Sequence, residues 1–198
     1  MKTLKEEYKQ KISDFAKDVE EMITHRFMED KIIHPIVFGL IIKGDKLVMT
    51  VLSGLGELFD SDAGKEQAAQ IIKSMSKELK PVALAFISEG WMSSHAVTDM
   101  DSLVDENGDY HENAVRPSQD PNRKEVLMVM LETFDEEASV FIEIKRIGEL
   151  VELEDFQRTD WCKKTSMFKG RFANMLEDNH NEINQVLQKM LNKKESQN

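Results

Sequence analysis

The sequence lacks several features that would assign it to a specialised class of protein. It contains one cysteine, Cys162, in 198 residues, which excludes an internal disulfide and fits a reducing compartment. We expect this thiol to be partly buried and inert. The longest apolar run, residues 36–42, is far shorter than the roughly 18 residues that a membrane-spanning helix needs. The N-terminus becomes charged at once and shows no secretory leader. These absences predict a cytoplasmic protein.

Basic residues are scarce relative to acidic ones. The chain has 26 Lys and Arg against 37 Asp and Glu, for a formal net charge of −11. Proteins that bind nucleic acids or anionic membranes concentrate Lys and Arg, so neither partner is expected. An acidic protein can instead imitate nucleic acid and occupy a basic partner, and this is a third candidate function. The composition is 40% hydrophobic, typical of a globular chain, and its length fits one domain over residues 1–198.

The N-terminal segment predicts a long amphipathic helix over residues 1–30. Its apolar residues recur at spacings of four and three: Tyr8, Ile12, Phe15, Val19 and Met22. We expect this stripe to pack on the domain itself, with a homodimer through residues 1–30 as the alternative.

Apolar runs and turn residues predict the remaining elements. A hairpin is expected at 36–42 and 47–52, a central strand buried on both faces at 82–88, a second hairpin at 126–131 and 140–147, and a weaker strand at 149–156. A helix is expected between the first hairpin and the central strand; Ser61 or Asp62 caps it and Pro81 ends it. A C-terminal helix is expected at 165–193. The order predicts an α+β fold: a mostly antiparallel sheet of about five strands, with two to three helices packed on one face.

The end of the central strand and the long acidic loop at 93–122 form the candidate site. Function collects where a rigid strand passes side chains to a loop, and loops near 30 residues are uncommon within compact domains. The candidate residues are Glu89, Trp91, Ser94, His95, Asp99, Arg116 and Arg123. We expect Trp91 to pack over the core or anchor a partner.

The residues of this loop suggest three kinds of site. A serine hydrolase is disfavoured because Phe86 occupies the first glycine position of the nucleophile elbow around Ser88. A divalent metal is the candidate cofactor, with His95, Asp99 and His111 as ligands. The start of a calcium loop at 105–109 lacks the required glycine position and final glutamate. A solvated acidic loop is the simpler interpretation of all these carboxylates.

The segment 116–127 differs from its acidic surroundings because it carries arginines and two prolines. We expect Arg116 and Arg123 to brace the fold by pairing with the acidic loop or with Glu89. The alternative is that they bind an anionic ligand. Asp120 is expected to accept hydrogen bonds from the turn that leads into the next strand.

Two blocks resemble an uncharacterised protein family of bacterial and bacteriophage genomes. They are AFISEGWM at residues 85–92 and RPSQDPNRKEVL at residues 116–127, similar to the "AFVSEAW" and "PSxxPxRxE" blocks that precede a β-hairpin in those proteins. Gly90 stands where alanine is frequent in that family. The resemblance implies a phage or mobile-element context and carries no established activity.

Two functions therefore lead. The preferred hypothesis is a non-catalytic protein-interaction or regulatory protein, whose partner is another protein. The alternative is a divalent-metal-dependent hydrolase or nuclease that uses Glu89, His95 and Asp99.

Overall fold

The computed structural model describes residues 4–44, 46–52, 55–93, 116–164, 172 and 175–176. The helices are α1 (Leu4–Asp30) and α2 (Asp62–Leu79), with two short 3-10 helices, η1 (Gly56–Asp60) and η2 (Pro117–Gln119). The strands are β1 (Ile36–Lys43), β2 (Lys46–Leu52), β3 (Ala83–Met92), β4 (Lys124–Glu132), β5 (Glu136–Ile147), β6 (Leu150–Arg158) and β7 (Cys162–Lys163). None of the helices in this described part is long and apolar enough to cross a membrane.

One antiparallel sheet contains all seven described strands. Their order is β2-β1-β3-β4-β5-β6, and β7 pairs with the first residues of β5. The α+β class is thus confirmed, with more strands than the five predicted. The weakly alternating segment forms β6 because an edge strand needs fewer apolar residues than a central one. A two-residue strand such as β7 is too short to leave a periodic signal.

Helices cover both faces of the sheet, so the prediction of helices on one face is wrong. On one face, α1 packs over alternate residues of β3, among them Ala85 and Ile87. On the other, α2 and η1 pack over Leu84 and Phe86. Because the whole first half of β3 is buried, the sheet needs apolar cover on both sides.

The buried stripe of α1 differs from the predicted one at its C-terminal half. Phe15 and Val19 are buried as expected, but Ile23 and Phe27 continue the stripe and Met22 is exposed. At 3.6 residues per turn, each step of four turns the stripe by about 40°, so the buried face winds gradually around α1, and Ile23 and Phe27 take the covered side in place of Met22. Ile12, Phe15 and Val19, three members of the stripe that suggested a dimer through residues 1–30, pack against the chain's own sheet.

Local signals at the hairpins and at α2 are confirmed. Lys43 pairs with Lys46 across a two-residue connection, in which Gly44 takes a φ of +67°. At the start of α2, Ser61 Oγ accepts a hydrogen bond from the Gly64 N–H at 3.0 Å. The helix ends at Lys80, whose backbone is left-handed, directly before Pro81.

Two further expectations have different outcomes. Cys162 is exposed, which corrects the prediction of a partly buried thiol, because β7 lies at the margin of the sheet and none of the described helices covers it. The C-terminal helix expected at 165–193 lies outside the described residues, apart from Phe172, Met175 and Leu176. The last two are buried against the α2 face of the sheet.

Candidate functional site at the end of strand β3

Strand β3 continues past its predicted end and carries two candidate residues within the sheet. Glu89 lies opposite Leu127 of β4, and Trp91 lies opposite Glu125. Residues at every second position share a face, so both side chains are on the face of Ile87, which α1 covers. Glu89 and Trp91 are therefore held by a regular ladder rather than by a loop.

The Glu89 carboxylate is engaged by the segment that follows α1. Its Oε1 accepts a hydrogen bond from the backbone N–H of Ile33, and its Oε2 lies 3.4 Å from Nη2 of Arg146. The chain turns sharply out of α1 at Lys31, a non-glycine residue with a φ of 60°. Glu89 thus fixes the path from α1 into β1.

Arg146 joins this carboxylate to three other parts of the fold. Its Nε and Nη2 donate to the Glu125 carboxylate at 2.9–3.1 Å, and its Nη1 donates to the Lys31 carbonyl oxygen at 3.1 Å. The guanidinium carbon lies 5.7 Å from the ring centre of Phe27. A cation beside the last carbonyls of a helix is favoured by the helix dipole. This group of Glu89, Glu125 and Arg146, hereafter the Arg146 brace, ties α1 to β3, β4 and β5.

Burial governs the protonation of the brace. The pKa of Glu89 is raised above 4.5 chiefly because the carboxyl is removed from water; the Ile33 N–H and Arg146 oppose that rise without cancelling it. The pKa of Arg146 is raised mainly by its hydrogen bonds to Glu125. The guanidinium stays charged, and burial makes the Glu89 carboxyl harder to ionise.

These contacts leave Glu89 poorly placed as a metal ligand. A divalent ion at this carboxylate would displace the Ile33 N–H or face the positive charge of Arg146. Among the described residues, no group of three or more His, Cys, Asp or Glu side chains is arranged to hold a metal ion. The other predicted ligands, His95, Asp99 and His111, lie outside the described residues, as does Ser94.

Trp91 and Arg123 form an exposed pair at the end of β3. The guanidinium carbon of Arg123 lies 4.6 Å from the centre of the Trp91 ring, and 46% of Trp91 is exposed. The predicted pairing of Arg123 with Glu89 is wrong, and residues 94–115 of the acidic loop, its other predicted partner, lie outside the described residues. Arg146 holds Glu89, and Arg123 stacks on the indole and donates to the Asp120 carbonyl oxygen at 3.4 Å. Planar guanidinium stacking on indole satisfies Arg123 without a carboxylate.

Asp120 organises the segment that presents Arg123. Its buried carboxylate accepts hydrogen bonds from Ser93 Oγ and, at 2.8 Å, from the Asn122 N–H, as the turn chemistry predicted. The Arg116 N–H donates to the Gln119 side-chain oxygen at 3.4 Å, and the Arg116 side chain is exposed. The end of η2 is thereby fixed against β3, so Trp91, Arg116 and Arg123 stand on an ordered surface.

Sequence reasoning missed Arg146 as the partner of Glu89. The two residues are 57 positions apart, and β5 must be placed beside β4 before they can meet. A signal was nevertheless present: Ile142 and Ile144 define the buried row of β5, and Arg146 continues that row. A charge that continues a buried row at a strand end needs a partner of opposite sign.

A second buried carboxylate, Glu132 of β4, was also missed. It accepts hydrogen bonds from the backbone N–H groups of Met175 at 2.9 Å and Leu176 at 3.1 Å, and it contacts the Lys164 ammonium. Phe172 stacks on Phe86 nearby, with ring centres 4.6 Å apart. Glu132 therefore anchors the chain after β7 to the α2 face of the sheet.

Comparisons with known proteins bring no relative. No protein-family model matches the sequence. Neither the curated proteins nor the solved structures include a match. The geometry at the end of β3 is therefore the basis for a proposed function.

Proposed function

We propose that this chain is a non-catalytic protein-interaction or regulatory protein that contacts its partner through the surface of Trp91, Arg123 and η2. The observation that supports the proposal is the exposed Trp91–Arg123 pair. Tryptophan and arginine are the side chains most enriched at the energetic centres of protein interfaces. The bacterial, phage or mobile-element origin rests on the resemblance of residues 85–92 and 116–127.

The rigidity of this surface adds to the argument. Trp91 projects from a paired strand, and Arg123 is held by the Asp120 turn and by the indole. Binding then costs little side-chain entropy, because both groups are already placed before the partner arrives. An exposed aromatic in a merely solvated loop would lack this advantage.

The charge of the surface indicates the chemistry of the partner. Arg116 and Arg123 are exposed here, although the whole chain carries a net charge of −11. A partner segment with an apolar or aromatic side chain for Trp91 and a carboxylate for the guanidinium groups fits both features. An acidic peptide face is therefore proposed, and a basic or nucleic-acid partner is not.

The alternative, a metal-dependent hydrolase or nuclease using Glu89, His95 and Asp99, has weaker support. Glu89 already bonds to the Ile33 N–H and to Arg146. Breaking these contacts to bind a metal would cost more free energy than binding through a solvated carboxylate, which is the ligand that a metal normally recruits. The mimicry of nucleic acid is likewise not favoured by an arginine-bearing contact surface.

The test is quantitative affinity capture from bacterial lysate with four proteins: wild type, Trp91→Ala, Arg123→Glu and the control Ile147→Ala. Ile147 is a more exposed apolar residue at the β5–β6 turn, two strands away from Trp91 in the sheet order. The proposal expects one set of proteins recovered by wild type and Ile147→Ala and lost with both site variants. Equal recovery by all four proteins, or no specific recovery at all, would contradict it.

A further inference from the structure

The two edges of the sheet are built differently. Among the described strands, β6 and β7 share one margin, and β2 forms the other with a neighbour on one side only. Edge strands expose backbone N–H and C=O groups that can pair with another strand. Proteins usually protect such edges with charges, prolines or bulges.

The β6 edge carries these protections. Its sequence, LVELEDFQR, contains three acidic residues and an arginine. Its register with β5 shifts between Phe141 and Ile142. Charges and a register irregularity both oppose the addition of a further strand.

The β2 edge has none of them. Its sequence, KLVMTVL, contains no acidic residue, no proline and one charge, at Lys46. Its register with β1 is regular over seven pairs. Val48, Met49 and Val51 are exposed, so a regular, apolar strand faces solvent in a strongly acidic protein.

We infer that β2 pairs with β2 of a second copy of this chain, antiparallel about a two-fold axis through Met49. In that register Leu47 of one copy lies opposite Val51 of the other, Val48 lies opposite Thr50, and Met49 lies opposite itself. Every cross-strand pair in the middle of the strand is apolar or apolar with threonine, and such pairs stabilise sheets. The two Lys46 residues fall at opposite ends, so like charges do not meet.

The same features fix the number of copies and the choice of partner. A second copy supplies a strand without acidic residues, and this limits the repulsion between two chains of net charge −11. Among the described strands, pairing uses the unprotected β2 edge of each chain and leaves the charged β6 edges outermost. The association therefore closes as a two-fold dimer and does not extend into a fibre.

Sedimentation of three proteins tests the assignment, all with Cys162→Ser to prevent adventitious disulfides. The parent is expected to be a dimer. Met49→Lys is expected to be a monomer, because it places two ammonium groups opposite each other at the axis. Met28→Lys is the matched control, since Met28 in α1 is 40% exposed and Met49 is 39% exposed; it is expected to stay a dimer. A monomeric parent, or a dimer lost in Met28→Lys and kept in Met49→Lys, would overturn the inference.

Disulfide trapping tests the register and does not depend on how Met49→Lys folds. Opposed residues in an antiparallel pair have Cα atoms about 4.5–5.5 Å apart, within the range of a disulfide. Met49→Cys is therefore expected to crosslink two copies under mild oxidation. Val51→Cys would place its two thiols roughly 14 Å apart along the strands and is expected not to crosslink. Crosslinking by Val51→Cys but not Met49→Cys would exclude the proposed axis.

Discussion

Glu89 and Arg146, 57 residues apart in sequence, meet beside the C-terminal end of α1. Their contact explains why a carboxylate stands near the end of a largely buried strand. The carboxylate accepts a hydrogen bond from the Ile33 N–H just after α1, and the guanidinium donates one to the Lys31 carbonyl oxygen. The pair is a structural joint, and the surface proposed for recognition lies two residues further along β3.

Removing the guanidinium should destabilise the fold. Arg146→Ala leaves Glu89 and Glu125 as neighbouring partly buried carboxylates without a cation. We expect a loss of about 1–2 kcal/mol in the free energy of unfolding, less than for a fully buried pair because 37% of the Arg146 side chain is exposed. Urea denaturation measures it. Arg26→Ala, which removes an exposed helix pair with Asp30, is the control and should change stability much less. Equal losses in the two variants would contradict a stabilising role for the Arg146 brace.

The raised pKa of Glu89 gives a pH dependence of defined sign. Folding raises this pKa above 4.5, so the folded state binds the proton more tightly than the unfolded state. The associated stability is present below pH 4.5 and is lost as the pH rises through the folded pKa. The free energy of unfolding of wild type, relative to Glu89→Gln, should therefore fall as the pH increases from about 4 to about 7. A difference that is constant or rises with pH would show that Glu89 is not desolvated as described.

The stacking of Arg123 on Trp91 should appear as a coupling between the two side chains. A double-mutant cycle of Trp91→Ala and Arg123→Ala is expected to give a coupling of about 0.5–1 kcal/mol in the free energy of unfolding. Each single variant should remain folded by circular dichroism, because Trp91 is half-exposed. A coupling of zero would mean that the guanidinium does not rest on the ring in solution.

Glu132 should control the attachment of the segment around Met175. Glu132→Ala removes the acceptor of two backbone N–H groups and the partner of Lys164. A loss of about 2–3 kcal/mol is expected, with faster hydrogen exchange at the amides of residues 175 and 176. Glu21→Ala removes an exposed carboxylate of α1 and should leave these amides unchanged. Unaltered exchange in Glu132→Ala would contradict the anchoring role.

Much of the fold is encoded in local signals that the sequence displays openly. The Lys43–Lys46 hairpin, the Ser61 cap and the stop at Pro81 all depend on neighbouring residues, and each is confirmed. The placement of the helices depends instead on which face each apolar stripe covers. The sequence predicted that β3 is buried on both faces, and such a strand needs a covering layer on each side of the sheet. That prediction contradicted the prediction of helices on one face.

The place of Glu89 and Trp91 near the end of the central strand could be predicted from the sequence, but the partner of Glu89 could not. Glu89 and Trp91 lie where the central strand ends, as expected, and the Asp120 turn forms as predicted. The partner of Glu89 could not be read from spacing, because Arg146 reaches it only through the pairing of β3, β4 and β5. Contacts between neighbouring residues, such as those of the Asp120 turn, can be predicted from the sequence, whereas contacts between strands can be predicted only when the strand order and register are known.

Photo-crosslinking in bacterial cells from position 118 tests most directly whether a partner protein binds at the Trp91–Arg123 surface. Ser118 is exposed on η2, which Asp120 and Ser93 hold beside the Trp91–Arg123 pair. A photoreactive residue there is expected to form a discrete adduct with another protein, and adding Trp91→Ala should abolish it. The same residue at exposed position 78 of α2 should give no such adduct. An adduct from position 118 that persists in Trp91→Ala, or identical products from both positions, would contradict a partner bound at this surface.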